Sequence, residues 1–214
     1  SPTLARAAFA AAVASLTDKL GLSSAHVLFS PEGEARALSE AGLLHRASVQ
    51  FHFKNRGYAT FEDFLKTLPS KRRTQLRREM RAPIEQGIHI ETLRADAMSP
   101  ALADTAFDLY KTTIDKMYWG RQYLNRSFFE AVMGSMKDRV ELVAAKDDRG
   151  KIIAGAFNLR GDDTLYGRYW GTFVDVPFLH FNVCFYHSIE RCIADGLSTF
   201  EPGAGGEHKL ARGF

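Results

Sequence analysis

The stretch TLYGRYWGTFVDVPFLHFNVCFYHSIERCIADGLSTFEPGAGGEHKLARGF, residues 164–214, decides the fold. Its aromatic opening predicts a strand over Thr164–Phe173, and the Val176-Pro177 pair that follows predicts a turn. The apolar periodicity of Phe178–Asp195 predicts a helix, which a glycine ends. Ser198–Pro202 predicts a short strand. Because the chain then opens into a loop at the carboxyl end of that strand, the stretch is typical of an α/β site.

The closing loop combines glycines with ionisable side chains, which is unusual for a loop that is merely solvated. Its glycines permit backbone conformations and close approaches that a Cβ would prevent; they are Gly203, Gly205, Gly206 and Gly213. Its ionisable residues are Glu201, Glu207, His208, Lys209 and Arg212. The loop is therefore the first candidate for a catalytic or binding site.

The composition is that of a globular protein. The 214 residues are 45% apolar and 25% charged, and the net charge is +3. This length suits one large domain or two small ones. Because the net charge is small, it favours no class of partner by itself, and the local distribution of charge matters more.

The cysteines and the apolar runs bear on the compartment. Cys184 and Cys192 are eight residues apart on one predicted helix, about 12 Å along its axis, which is too far for a disulfide. We expect both to be reduced and the protein to be cytoplasmic. No run approaches the ~20 apolar residues of a membrane span. The alanine-rich segment Leu4–Leu16 lacks the preceding basic cluster of a signal peptide.

The first part of the chain resembles an incomplete α/β unit. A helix is predicted from Ser1 to about Leu20, a short buried strand over His26–Phe29, and a second helix from Pro31 to about Ala41. The alternation of Leu43–Asn55 predicts a long strand with one buried face. No strand precedes the first helix, and the chain begins without Met and stops just after its closing loop. We therefore expect both ends to be cut from a longer protein.

A basic helix follows. Thr60 is predicted to cap a short helix with a capping box, and Ser70 to cap the next, Lys71 to about Gln86. Its sequence KRRTQLRREMR holds six cations and one acid. Such a face is either solvated or binds phosphate, and because repulsion among the cations is not relieved by acids, phosphate binding stands as an equal alternative to a solvated face. The candidate phosphate ligands are Lys71, Arg72, Arg73 and Arg77.

From Ile88 onward the predicted order is β-α-α-β-β-β-α-β. Ile88–Leu93 is a strand, and Pro100 starts a long helix to about Met117. An aromatic loop, Tyr118–Tyr123, could line a pocket with Trp119 and Arg121. A further helix, capped by Asn125 or Ser127, precedes three strands joined by tight turns, which predicts an antiparallel meander. These strands are Arg139–Asp147, Lys151–Leu159 and Thr164–Phe173.

This order resembles the GCN5-related N-acetyltransferase (GNAT) fold. The segments VQFHFKNRGYATFEDFL, SKRRTQLRRE, WGRQYL, TLYGRYWG, FLHF and EPGAGGEHKLARGF resemble the FemAB-like "peptidoglycan biosynthesis/recognition" family of acyltransferases. The resemblance implies an α/β (α+β) fold with a mixed, mostly antiparallel sheet flanked by helices. It also implies three parts: 1–60, a remnant of an N-terminal GNAT-like half; 61–87, a basic helical connector; and 88–214, a C-terminal GNAT-like domain.

The resemblance implies transfer of an acyl or aminoacyl group to an amine, with a cell-wall precursor or another amine as acceptor. No cofactor is expected to be bound tightly, and the donor would be aminoacyl-tRNA or acyl-coenzyme A. Gly171–Pro177 lacks the glycine-rich loop that holds the coenzyme A pyrophosphate in GNAT enzymes, which favours tRNA. Two positions depart from the family pattern: Asn182, where Glu is expected, and Gly205, where Gln is common.

Acyl transfer to an amine needs a base, donors for the developing oxyanion and a positioned acyl ester. The candidate bases are Glu207, His208 and Glu201. Cations that could hold phosphate or the oxyanion are Lys209, Arg212 and Arg168. Tyr169 and Trp170 could stack on a base or sugar, and His180 could reach the same mouth. Strand alternation would place Tyr166, Arg168 and Trp170 on one face and Tyr169 on the other.

Other interpretations stay open. The acids and cations of the loop could pair with one another as a structural network. The Glu-His spacing argues against a metal, so none is expected. The chain could be a non-catalytic recognition domain for a phosphate-bearing cell-wall precursor or for RNA, which the departure at Asn182 favours. It could also be a coenzyme A-dependent N-acetyltransferase.

Overall fold

A computed structural model describes residues 2–116, 121–204 and 206–214. The chain forms two compact units, Ser1–Val49 and Gln50–Phe214. Among the residues described, no helix has the length and apolar character needed to cross a membrane. The three-part division at residues 60 and 87 stays a prediction. In the structure, residues 50–87 belong to the same compact unit as the sheet.

The first unit contains two helices that pack together, α1 (Pro2–Lys19) and α2 (Glu32–Glu40), close to the predicted bounds. The prediction of a buried strand over His26–Phe29 is wrong. That segment has no regular structure, and Phe29 is 89% exposed with a left-handed φ of 57°. Its apolar run suggested a core strand, but a strand needs a neighbour to bond with, and the described residues give this one no such partner.

The long strand predicted over Leu43–Asn55 is reduced to two residues, β1 (Phe53–Lys54). Phe53 is buried and pairs with Phe200, whereas Val49 is 73% exposed. The alternation of apolar residues correctly predicts a strand near Phe53. The predicted strand is too long because its partner strand has only three residues with which to pair.

A six-stranded sheet forms the centre of the second unit, in the order β1-β6-β5-β4-β3-β2. The consecutive strands β3 to β5 form an antiparallel meander, as predicted; β2 pairs antiparallel with β3, and β6 pairs in parallel with β5. Their bounds are β2 His89–Arg94, β3 Val140–Lys146, β4 Ile152–Arg160, β5 Thr164–Thr172 and β6 Thr199–Glu201.

Helices cover both faces of this sheet. Helices α5 (Pro100–Ile114) and α6 (Arg126–Ser135) pack on one face around Phe129, Phe157 and Tyr110. The other face carries α7 (Leu179–Phe181), which continues through a π-helical segment (Asn182–Tyr186) into α8 (His187–Ala194). Two further helices, α3 (Phe61–Lys66) and α4 (Ser70–Ile84), pack on that same side.

The predicted helix caps are confirmed at two of three sites. Thr60 and Asp63 form the reciprocal capping box of α3, and Asn125 accepts a hydrogen bond from the Phe128 N–H at 3.0 Å. The prediction for Ser70 is wrong. Because α4 already begins at Ser70, Pro69 occupies the cap position, and proline offers no side-chain acceptor.

Candidate functional site

The site begins where the parallel strands β5 and β6 separate. They pair from Thr164↔Thr199 to Tyr166↔Glu201, and no further. Beyond Glu201 the chain turns away at Gly203, whose φ of +86° favours glycine. The gap between β5, the π-helical segment and the closing loop is a cleft of about 180 Å³. This loop at the carboxyl end of β6 is the one that the sequence indicated.

A β-bulge in β5 sets which side chains face this cleft. Phe157 pairs with Tyr169 and Asn158 with Gly167, so Arg168 is an extra residue on β5. The bulge reverses the alternation beyond it. The predicted grouping of Tyr166, Arg168 and Trp170 on one face is therefore wrong. Tyr169 packs against Tyr110 on the α5 face, and Trp170 packs on the opposite face.

Six of the predicted site residues line this cleft. They are Arg168, Tyr169, Trp170, His180, His208 and Lys209. The rings pack closely: Trp170 lies 5.0 Å from His180 between ring centroids, and His208 lies 5.6 Å from Phe181. The cleft is thus largely aromatic, with two cations in its lining: Arg168 on β5 and Lys209 on the closing loop.

Lys209 is the most unusual member of this group. Its side chain is 3% exposed, and its Nζ donates to the carbonyl oxygens of Gly203 at 2.7 Å and Ala204 at 3.4 Å. Among the described residues it has no carboxylate partner. Burial therefore lowers the pKa of the Lys209 amine, since desolvation penalises the charged form. An unpaired buried cation is a good ligand for an anion or a developing oxyanion.

Glu201 is engaged in a network at the mouth of the cleft. Its carboxylate accepts from Arg168 at 3.0 Å and from the amide of Gln50 at 3.2 Å, and His52 lies 3.9 Å away. Glu201 was predicted either to act as a base or to pair with cations in a structural network. Its contacts with Arg168 and Gln50 are those of a structural network. Arg168 also stacks over the ring of Tyr166 at 5.0 Å.

The other predicted residues lie elsewhere. Glu207 is exposed on the 3-10 helix Glu207–Arg212, with no partner among the residues described. Arg212 is 5% exposed and turned away from the cleft into a buried network. Arg121 is exposed, and Trp119 lies outside the described residues. Glu207 and His208 stay predictions as bases, and Arg212 is placed as a structural residue.

A second cleft lies on the opposite face of β5, with a volume of about 260 Å³. It shares Arg168, Tyr169 and Trp170 with the first cleft, and its remaining walls are mostly aromatic and aliphatic. These walls are formed by Tyr110, Thr113, Ile114 and Tyr123. The bulged strand therefore separates two clefts that open on either side of it.

The basic helix α4 uses part of its charge internally. Arg73 donates to the carbonyl of Leu68 at 2.8 Å, at the end of α3, and Arg77 pairs with Glu62. Arg72 bonds to the neutral amide of Gln75 at 3.0 Å, and Lys71 is exposed. Of the four predicted phosphate ligands, Arg77 is paired with an acid, whereas Lys71, Arg72 and Arg73 have no acid partner among the residues described; of these three, Lys71 and Arg72 are exposed.

Sequence reasoning did not single out several residues of this region. Cys184 lines the cleft, and burial raises the pKa of its thiol. Glu79, on α4, lies 1% exposed beneath the closing loop, and Tyr186 bonds to it. Of these residues, only Glu79 could have been noticed in the sequence, because it is the single acid in the run KRRTQLRREMR.

Both cysteines are free, as expected. Among the described residues no three His, Cys, Asp or Glu side chains could hold a metal ion together.

Two partly buried histidines make stability depend on pH. Burial lowers the pKa of His180 to about 4, with His208 and Arg212 adding repulsion. Burial also lowers the pKa of His187 to about 4, beside Arg191 and Arg94, where its Nε2 bonds to Thr92 at 2.8 Å. In the unfolded chain both would protonate near 6.5, so below that pH the unfolded state binds more protons than the folded state.

We therefore expect the free energy of unfolding to fall as the pH is lowered from about 6.5 to about 4. The fall should be about 2 kcal/mol or more, as measured by urea unfolding at each pH. His187→Gln should make the fall clearly smaller, and the exposed His89→Gln is its control. An equal fall in wild type and His187→Gln would contradict this account.

The antiparallel meander, the parallel pairing of β5 with β6 and the cleft where these two strands separate together define a GNAT-like fold. The chain belongs to the FemAB-like family, described as peptidoglycan biosynthesis/recognition, whose sequence model matches residues 2–214. No curated protein sequence matches the chain.

Solved structures share this fold at low sequence identity. FemX superposes with a TM-score of 0.53 at 13% identity, over 81% of this chain and 60% of that one. L-PGS from Bacillus licheniformis gives 0.52 at 10% identity, over 75% and 48%. The C-terminal domain of a putative lysylphosphatidylglycerol synthetase from Agrobacterium fabrum gives 0.51 at 14%, also over 75% and 48%. The chain spans about half of the last two and 60% of FemX.

Proposed function

We propose that this protein transfers an aminoacyl group to the amine of a cell-wall precursor. The observation that carries the proposal is the buried Lys209, a cation without a carboxylate partner among the described residues, in the cleft where β5 and β6 separate. Membership of the FemAB-like family supports the same chemistry and the cell-wall acceptor. A cytoplasmic location, suggested by the two free cysteines, is part of this proposal.

In this reaction the acceptor nitrogen attacks the carbonyl carbon of the donor ester, and a C–N bond forms. The carbonyl oxygen becomes an oxyanion, which the Lys209 ammonium stabilises by charge and hydrogen bonding. The C–O bond of the ester then breaks, and the leaving hydroxyl takes up a proton. A base must remove a proton from the amine. His208 suits this role because burial and nearby cations lower its pKa, so it is neutral near pH 7.

The two clefts give the two substrates separate approaches. We assign the donor acyl ester to the cleft that contains Lys209, and the acceptor amine to the aromatic cleft on the α5 face. The reacting groups would meet at the bulge, where both clefts share Arg168, Tyr169 and Trp170. Aromatic walls favour the apolar and cationic parts of an amine acceptor.

Aminoacyl-tRNA is the donor that the basic helix favours. Lys71 and Arg72 are exposed and, among the described residues, unpaired with acids, as a phosphate ligand requires. We expect the double variant Lys71→Ala/Arg72→Ala to weaken tRNA binding and to reduce the slope of log K against log salt by about 1–2. Lys137→Ala/Arg149→Ala, which removes two exposed cations elsewhere, is the control. An unchanged slope in the first variant would contradict the proposed contact.

A second candidate function is phosphate-ligand recognition without catalysis. The observation in its favour is Asn182, where the family resemblance implies Glu. Asn182 is buried, and its Nδ2 donates to the carbonyl oxygens of Glu79 and Phe178, each at 2.9 Å. A carboxylate could not donate these bonds, so in this chain the position holds two helices together and supplies no base.

The test is a transfer assay. The protein is incubated with a uridine-diphosphate cell-wall precursor that carries a free amine, and with either charged tRNA or acyl-coenzyme A. The mass of the precursor is then measured by mass spectrometry. A mass gain of one aminoacyl residue with charged tRNA is the expected result. A gain with acyl-coenzyme A alone would keep the transfer and overturn the donor. Saturable precursor or tRNA binding without any mass gain would establish the recognition function instead.

A further inference from the structure

We infer that Glu79 and Arg212 act together as positioning residues, a clamp that holds Lys209 in the cleft. The role that we give to the clamp rests on the proposed function. The contacts that form the clamp are observed in the structure and do not depend on that function. Neither residue touches the cleft, and neither was needed by the chemistry described above.

The closing loop has no strand pairing among the residues described, so it depends on side-chain contacts, of which the clamp is one set. The 3-10 helix Glu207–Arg212 carries His208 and Lys209 and lies outside the sheet. It is flanked by two left-handed glycines, Gly206 with φ +86° and Gly213 with φ +87°. Glycines lose the most backbone freedom on ordering. The segment therefore keeps its conformation through side-chain contacts with α3, α4 and the π-helical segment.

Arg212 supplies the contacts. Its Nη1 donates to the carbonyl oxygen of His208 at 3.0 Å, and this bond within the 3-10 helix fixes the backbone next to Lys209. Its Nε donates to the hydroxyl of Tyr186 at 2.9 Å, and its guanidinium lies 3.5 Å above the ring of Phe181. Every arm of this cation is used by the protein, so the guanidinium is committed to the fold and not to a substrate.

Glu79 is the anchor on α4. Its Oε2 accepts from Arg212 at 2.9 Å and from the Tyr186 hydroxyl, and its Oε1 accepts from Gln75 at 2.8 Å. Despite burial, these hydrogen bonds and the Arg212 charge lower the pKa of the Glu79 carboxyl, so it is ionised at neutral pH. A buried ion pair of this kind is strongly destabilised when one partner is removed.

The pair also has an electrostatic consequence for the site. Glu79 and Arg212 neutralise each other, and Glu201 is paired with Arg168, so neither acid reaches Lys209. The clamp thus holds the Lys209 amine against the carbonyls of Gly203 and Ala204 while leaving its charge free for a ligand. Loosening it should let the amine leave its buried position and enter water.

The experiment needs no substrate, so its outcome is independent of whether the chain transfers acyl groups. Lysines of the folded protein are labelled with an acylating reagent over a pH series, and each peptide is quantified by mass spectrometry. In wild type the pH midpoint for Lys209 should lie below the ordinary value for a lysine, because burial lowers the pKa of its amine. In Glu79→Gln the Lys209 midpoint should rise toward that ordinary value, and its labelling rate relative to the exposed Lys71 should increase roughly tenfold.

The controls separate positioning from stability. Glu62→Gln removes the partner of Arg77, an exposed pair made by the same helix, and should leave the Lys209 midpoint unchanged. Tyr186→Phe removes only the hydroxyl that bridges Glu79 and Arg212, so it keeps the core and should shift the midpoint partway. A lower melting temperature with an unchanged Lys209 midpoint, in both Glu79→Gln and Tyr186→Phe, would overturn the inference.

Discussion

Replacing Lys209 with methionine is expected to reduce acyl transfer about 100- to 1000-fold, the cost of losing one oxyanion donor. Methionine keeps the unbranched apolar stem of the lysine that is buried in the cleft wall, and it removes the charge. Most of the loss should appear in kcat, because the oxyanion forms only in the transition state. The measurement is the initial rate of mass gain of the acceptor, for each variant, at saturating donor.

The matched control is Lys151→Met, which removes a lysine from the exposed turn between β3 and β4. It should leave the rate within twofold of wild type, an estimate based on the small effects of surface substitutions. Lys209→Arg should recover little activity, since the bulkier guanidinium cannot occupy a site shaped for an amine. A Lys209→Met variant with wild-type kcat would show that Lys209 takes no part in the chemistry.

Gly171→Ala is expected to lower the free energy of unfolding by at least about 3 kcal/mol, at the upper end of overpacking effects. A Cβ at this position would overlap the carbonyl group of Leu109 and lie 2.7 Å from its Cα. These are backbone atoms of α5, so no side chain can move aside. Since α5 also forms a wall of the aromatic cleft, the variant should lose acceptor binding as well as stability.

Gly134→Ala provides the comparison. Gly134 lies inside α6, and a Cβ there would meet nothing within 4 Å. Helix propensity alone should then stabilise the protein by up to about 1 kcal/mol. Urea denaturation of the two variants measures both effects. Equal stabilities for Gly171→Ala and wild type would mean that β5 and α5 are not in the close contact described.

Much of the fold could be predicted because local signals and long-range packing agree in the second unit. The meander from Arg139 to Phe173 was set by alternating apolar residues and tight glycine turns, and the helix after it by its period. The first 55 residues were less predictable. His26–Phe29 and Leu43–Asn55 have strand-like patterns, but a strand depends on a partner that no local pattern reveals.

The site was partly predictable for a related reason. Glycines beside Glu, His and Lys marked the closing loop, and the loop does carry His208 and Lys209 into the cleft. The sequence could not tell which of its two buried cations faces the ligand. That choice depends on Glu79, 133 residues from Arg212 along the chain. The bulge at Arg168 was equally hidden, since the extra residue is defined only by pairing with β4.

The central claim is that the acyl donor binds in the cleft where β5 and β6 separate, and Cys184 allows its location to be measured. Cys184 lines that cleft, whereas Cys192, on α8, is fully buried and reports any general unfolding. The rate of alkylation of each thiol is measured with and without the donor that supports transfer. We predict that saturating donor slows alkylation of Cys184 and leaves Cys192 unreactive in both conditions. A donor that supports transfer but leaves the Cys184 rate unchanged would contradict the account.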